Sequence, residues 1–204
     1  MSIYKKNLEL LTKNNVYSKE MEHDACGVGL IASTEGKKSR EVVEYGIEAL
    51  KAVWHRGAVD ADGKTGDGAG IHLEIPKDFF VEKIEVTGHT HDGSDICVGM
   101  IFLPRNDYSS QESCKTIVES ELTKNDFSIY GWRQVPVNPK VLGEKAFQTM
   151  PEIIQVLFKS NDKNLLDKDL ERKIYETRKK IENKAFNLSL NNFYICSISS
   201  KSII

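Results

Sequence analysis

Asp24-Ala25-Cys26-Gly27-Val28-Gly29-Leu30-Ile31-Ala32 sets one thiol at the head of a compact apolar run. A short apolar run of this kind predicts a buried β-strand over residues 26–32. Downstream, Val43, Ile47, Leu50 and Trp54 recur at three- and four-residue steps and predict a helix over residues 40–54. Ile71, Leu73 and Ile75 alternate with His72 and Glu74, the period of a strand over 69–75 that Pro76 closes. Next come a helical turn from Pro76 to Phe80, a brief strand over 84–86 and a turn over 88–94. Residues 96–103, 127–135, 153–158 and 192–198 read as further strands. A helix capped by Ser109 or Ser110 runs to Lys124 with Cys114, Ile117, Val118 and Leu122 inward. Another spans Asp167–Asn187 with Leu166, Leu170, Ile174 and Ile181 as its stripe. Strands and helices mix without strict βαβ alternation, which predicts an α+β layered fold.

Composition narrows the function classes. The chain has 204 residues, 28 Lys+Arg against 30 Asp+Glu, and 40% apolar residues. A formal net charge of −2 leaves no broad basic face, so neither nucleic acid nor an anionic membrane is an expected partner. No run approaches the ~18 apolar residues of a membrane helix. Charges at Lys5, Lys6, Glu9, Lys13, Lys19 and Glu20 exclude a secretory leader, so a cytoplasmic location with reduced thiols is expected. Cys26, Cys97, Cys114 and Cys196 are scattered, with no zinc-ligand spacing. Cys97, Cys114 and Cys196 lie on apolar faces and read as core. His89-Thr90-His91-Asp92 reads as a polar hairpin tip, and no metal site is expected there. The sequence stops at Ile203-Ile204 where a strand is starting, which reads as a truncation.

Cys26 stands apart from an ordinary core thiol because Ala25 and Gly27 leave the sulfur uncrowded. No histidine stands in an obvious catalytic pairing with it. Cutting the Ala25–Cys26 bond would free an α-amino group with a reference pKa of about 7.7–8.0, which makes it a usable base. Nucleophile and base would then belong to one residue. His55-Arg56-Gly57-Ala58 follows the first long helix and suits a helix C-terminus: basic residues near the last carbonyls, then a glycine. Arg56 carries an always-charged guanidinium fork, suited to a thiolate or to a substrate carboxylate. Thr65-Gly66-Asp67-Gly68-Ala69-Gly70 lacks the strand-then-helix context of a nucleotide loop and has no Walker lysine. Its glycines suit tight turns and close packing, and Asp67 suits hydrogen bonds to loop amides.

These three motifs, in this order and spacing, resemble the amino-terminal glutamine amidotransferase domain of the glutamate synthase large subunit family. The resemblance extends more diffusely to the C-terminus. It implies a four-layer αββα N-terminal-nucleophile sandwich, incomplete at its C-terminal end. Residues 1–25 would be a propeptide, and 26–204 the N-terminal part of a type 2 amidotransferase domain. The implied reaction hydrolyses L-glutamine to glutamate and ammonia through a thioester on Cys26. In the complete enzyme the ammonia would pass to 2-oxoglutarate. The resemblance also places Gly27, Arg56, Asp67 and Gly68 in the active-site region.

The family's oxyanion donors come from an Asn-Gly pair, and no Asn-Gly dipeptide occurs in this sequence. That pair and the ligand of glutamine's amino group would lie beyond residue 204. No cofactor is expected in this chain; FMN and an iron–sulfur cluster are implied for the full-length enzyme. Implied partners are the remaining amidotransferase and synthase domains and, for some members, a small NAD(P)H-oxidising subunit. Two alternatives stand beside this reading: a non-catalytic chain that needs a complementary one, and a different N-terminal-nucleophile amidohydrolase.

Overall fold

Prolines punctuate the chain where elements begin and end: Pro76 caps a helix, Pro104 follows a strand and Pro151 precedes one. The computed structural model describes residues 3–13, 27–53 and 59–204. The elements are α1 (Ile3–Lys13), α2 (Arg40–Ala52), β1 (Leu73–Glu74), α3 (Lys77–Val86), β2 (Cys97–Leu103) and α4 (Tyr108–Lys124). After these come β3 (Phe127–Gln134), a 3₁₀ turn (Pro139–Val141), α5 (Glu144–Thr149), β4 (Glu152–Ser160), α6 (Asp167–Asn187), β5 (Tyr194–Ser199) and β6 (Ser202–Ile203).

Four strands form an antiparallel sheet in the order β3-β4-β2-β5. β2 and β3 both oppose β4, so they run parallel to each other, and α4 makes the crossover between them. α6 does the same between β4 and β5. The result is a split βαβ arrangement with two crossover helices. Alternation along β2 faces its side chains both ways. Cys97, Ile101 and Leu103 pack with α4 and α6, while Val98 and Met100 pack with Ile75, Phe80, Ile84 and Ile203 on the opposite face. β1 and β6 pair antiparallel as a second, two-stranded sheet on that opposite face, with Leu73 opposite Ile203.

Helix α4 buries Cys114, Ile117, Val118 and Leu122, and α6 buries Leu170, Ile174, Ile181 and Ala185. Polar groups lock the two helices in place. Glu121 of α4 pairs with Lys184 of α6, and Arg178 donates to the Ile195 carbonyl of β5 at 2.8 Å. Gly99 is required by its neighbour: a Cβ there would lie 2.7 Å from Cγ1 of Val156 on β4.

The α+β architecture is the one the sequence leads to, its sheets are antiparallel, and several local expectations change. Residues 27–33 form no strand, and Val28 and Leu30 are 91% and 89% exposed. A strand needs a neighbour to complete its ladder, and among the described residues none pairs with this segment. Cys26 itself lies outside the described residues, as does Trp54 at the end of the first helix. The brief strand expected over 84–86 is the last part of α3, because Phe80 and Ile84 are four residues apart and bury on one helical face. The cap of α4 is Asp107, whose carboxylate accepts from the Ser110 amide at 3.0 Å, and neither Ser109 nor Ser110 fills that role. Leu166 stands exposed at the N-cap of α6 instead of joining its stripe. Among the described residues the ladder of the 69–75 strand is limited to Leu73 and Glu74, with the Ile75 amide donating to the Lys201 carbonyl at 3.0 Å, although the burial alternation of Leu73, Glu74 and Ile75 holds. Cys97 and Cys114 are buried, and Cys196 is half-buried.

Candidate active site

An acidic turn precedes the glycine loop and gives it a fixed start. The Asp60 amide donates to the Thr65 carbonyl at 2.8 Å, and Val59 bridges Gly66. Asp62 organises the turn from within. Its carboxylate accepts from the Lys64 amide at 2.9 Å, the Thr65 amide at 2.7 Å and the Thr65 hydroxyl at 2.6 Å. The Thr65 hydroxyl and these amides hold the Asp62 carboxyl well below the usual carboxylate range. The Lys145 ammonium, followed by the Ala61 amide, lowers the pKa of Asp60.

The turn is gripped from far along the sequence. Lys145 of α5 meets Asp60 at 2.5 Å, and the Ala146 amide donates to the Thr65 hydroxyl at 3.3 Å. A Cβ on Gly143 would collide with Thr65 Oγ1 and Asp62 Oδ2.

Past Thr65 the loop opens onto β1 and not onto a helix, so no helix N-terminus stands ready for a phosphate. Gly68 has φ +103, a conformation that disfavours any side chain. Among the described residues its missing Cβ would touch nothing within 4 Å, so this glycine serves the turn and not the close packing expected of it. Gly70 lies beside Ile204, with 3.8 Å between its ideal Cβ and Cγ2. Asp67 and Gly68 share this exposed loop, whereas Gly27 sits in the separate exposed segment 27–33. Cys26 and Arg56 lie outside the described residues, as do His55, Gly57 and Ala58. Within the turn, the Asp60 carboxylate accepts from the Ala61 amide and that of Asp62 from the Lys64 and Thr65 amides. An Asp-x-x-Thr spacing at Asp62–Thr65 signals such a turn. No local pattern signals Lys145 or Gly143.

The His89-Thr90-His91-Asp92 tip is tied into the fold. Asp92 pairs with Lys159 at 2.8 Å and accepts from Ser94, and these contacts hold its carboxyl far below the ordinary range. His91 bonds the Ser94 carbonyl and His89 the Thr87 hydroxyl, with Tyr130 beside both rings. Among the described residues, no three His, Cys, Asp or Glu side chains converge to hold a metal ion. No helix among them is long and apolar enough to cross a membrane.

The antiparallel α+β fold and the motif order from Cys26 to Ile71 are consistent with an amidotransferase-type domain, and comparison with known families shows one. The chain belongs to the class-II glutamine amidotransferases: the family described as "Glutamine amidotransferases class-II" matches residues 26–204. Its relatives include the glutamate synthase [NADPH] large chain of Azospirillum brasilense, 52% identical over 98% of this chain and 13% of that protein. The ferredoxin-dependent glutamate synthase of Pyropia yezoensis is 38% identical over 96% of this chain and 13% of its own length. Ferredoxin-dependent glutamate synthase 1 of Arabidopsis thaliana is 40% identical over 90% and 11%. The chain thus spans about an eighth of the length of the curated relatives it matches.

Proposed function

We propose that this chain carries the glutaminase half-site of a glutamate synthase, with Cys26 as nucleophile. The observation that carries the reading is the family match, which begins at Cys26 and runs to residue 204. On this reading residues 1–25 are removed and the new α-amino group of Cys26 accepts the thiol proton. The sulfur attacks the side-chain amide carbon of glutamine, the C–N bond breaks, and the nitrogen leaves as ammonia with the transferred proton. Water then cleaves the glutamyl thioester, releasing glutamate and restoring the thiol. Arg56 is assigned to the thiolate or the substrate carboxylate, and Gly27, Asp67 and Gly68 to the walls of the site.

The ammonia is used on 2-oxoglutarate by the remaining synthase domains, with an NAD(P)H-oxidising subunit or ferredoxin as electron source. Iron–sulfur chemistry is assigned to those domains as well. A cluster needs thiolates. Burial raises the pKa of the Cys97, Cys114 and Cys196 thiols, and among the described residues no three His, Cys, Asp or Glu side chains gather to hold a metal. The flavin is placed with the cluster. A reducing, cytoplasmic setting belongs to the same reading.

Cys26→Ser in the complete enzyme tests the assignment. Glutamine-dependent synthesis is expected to vanish while ammonia-dependent synthesis persists; equal loss of both refutes the role. Mass spectrometry of the mature N-terminus tests the processing, and an intact Ala25–Cys26 bond in active enzyme refutes it. The 204-residue chain alone is expected to hydrolyse little or no glutamine, since one oxyanion donor is worth ~10²–10³ in rate and the sequence holds no Asn-Gly pair. Turnover by this chain comparable to a complete amidotransferase refutes that expectation.

A further inference from the structure

We propose that Lys145 and Gly143 are positioning residues for the candidate site, acting through the acidic turn to set the loop that carries Asp67 and Gly68. The proposal rests on the glutaminase reading for its consequence and on geometry for its mechanism. Helix α5 has six residues, too few to be stable alone. It is held on one side by the sheet: the Arg105 guanidinium, just past β2, lies 4.6 Å from the Phe147 ring centre and donates to the Phe147 carbonyl at 3.4 Å. Three further contacts converge on one turn. They are the Lys145–Asp60 pair, the Ala146 amide on the Thr65 hydroxyl, and the bare Cα of Gly143 against Asp62 and Thr65.

Each contact is weak by itself, since an exposed ion pair contributes little. Together they fix a turn whose internal bonds already converge on Thr65. The next residue, Gly66, closes the bridge to Val59, and Asp67 and Gly68 follow directly. The strut therefore transmits the position of the β2 end to the loop. None of these groups needs to touch substrate. A loop misplaced by about 1 Å is enough to cost up to ~10²-fold in rate.

The test uses the complete enzyme with Lys145→Ala, Lys145→Arg and Gly143→Ala. Lys145→Ala is expected to raise the KM for glutamine about two- to fivefold, the size of one exposed pair lost. Lys145→Arg restores it. Gly143→Ala, which drives a methyl into Thr65, is expected to raise KM about tenfold or more. Ammonia-dependent synthesis stays unchanged in all three, which a general loss of folding would not allow.

Hydrogen exchange on the 204-residue chain supplies an activity-independent arm: amides of residues 60–66 should exchange faster in Gly143→Ala and Lys145→Ala. Unchanged exchange overturns the strut itself. Faster exchange with unchanged KM overturns the positioning role and leaves the glutaminase reading intact. Absent glutamine-dependent activity in the parent enzyme overturns the glutaminase reading and, with it, the role assigned to the strut, whatever the exchange data show.

Discussion

Helices α2 and α6 are both amphipathic, yet α6 buries five side chains and α2 buries none. Their sequences differ less than their surroundings. α6 lies on a four-stranded sheet beside α4, so its stripe meets Phe127, Ile154 and Phe158. α2 carries the expected stripe of Val43, Ile47 and Leu50, and each is half-buried. Ile71 lies beside the helix, its Cδ1 3.1 Å from the ideal Cβ of Gly46. An apolar stripe creates a demand for cover, and only the facing surface decides how much of it is met.

The largest test of this contrast is a truncation on each helix. Ile174→Ala in α6 is expected to cost about 2–5 kcal/mol in a denaturant melt, because a filled core site is emptied. Leu50→Ala in α2 should cost less than about 1 kcal/mol, since little apolar surface is withdrawn from water there. Similar losses at both sites would break the comparison. A smaller effect is expected at the entrance to α4: Asp107→Ala removes the cap on the Ser110 amide and should cost about 1 kcal/mol, read from the same melts.

The smallest effect is electrostatic and belongs to the loosely covered half. Asp60 and Asp62 titrate below their unfolded values, so their contribution is complete above about pH 5 and is lost progressively as pH falls through and below the ordinary carboxylate pKa of ~3.9. Exchange at residues 60–66 should therefore quicken between about pH 5 and pH 3, while the α6 amides hold. Quicker exchange on raising the pH through the same window, after correction for intrinsic rates, would reverse the sign of the argument.

The same contrast explains what the sequence made legible. The span of α6 reads directly from its period, and the inward face of α4 from Cys114, Ile117, Val118 and Leu122, because both helices bury what their patterns demand. Residues 27–32 are as apolar as a core strand and still stand exposed, since a strand is a property of a pair and no sequence names the neighbour. Ile84 and Val86 mimic a two-residue period, but the earlier Phe80 supplies the helical partner of Ile84, a signal present in the sequence and outweighed by the shorter pattern. At the site, the turn chemistry of Asp62 and Thr65 is local and readable. Lys145 and Gly143 reach it through the fold, which no spacing rule records. Cys26 and Arg56 were singled out by motif, and their assignment rests on family membership.

The pairing of β1 with β6 also has a consequence in time. Leu73 leaves the ribosome early, but its partner Ile203 follows only after the whole four-stranded sheet has been made. Closing so long a loop carries an entropic cost that waits on the intervening sheet. The segment just before β1, with its glycines and Asp67, is therefore among the last parts of a growing chain to be pinned. A nascent polypeptide can hold the start of that loop through α5 before its far end, at β1, gains a partner, and the core around Ile75 is complete only once Ile203 joins it.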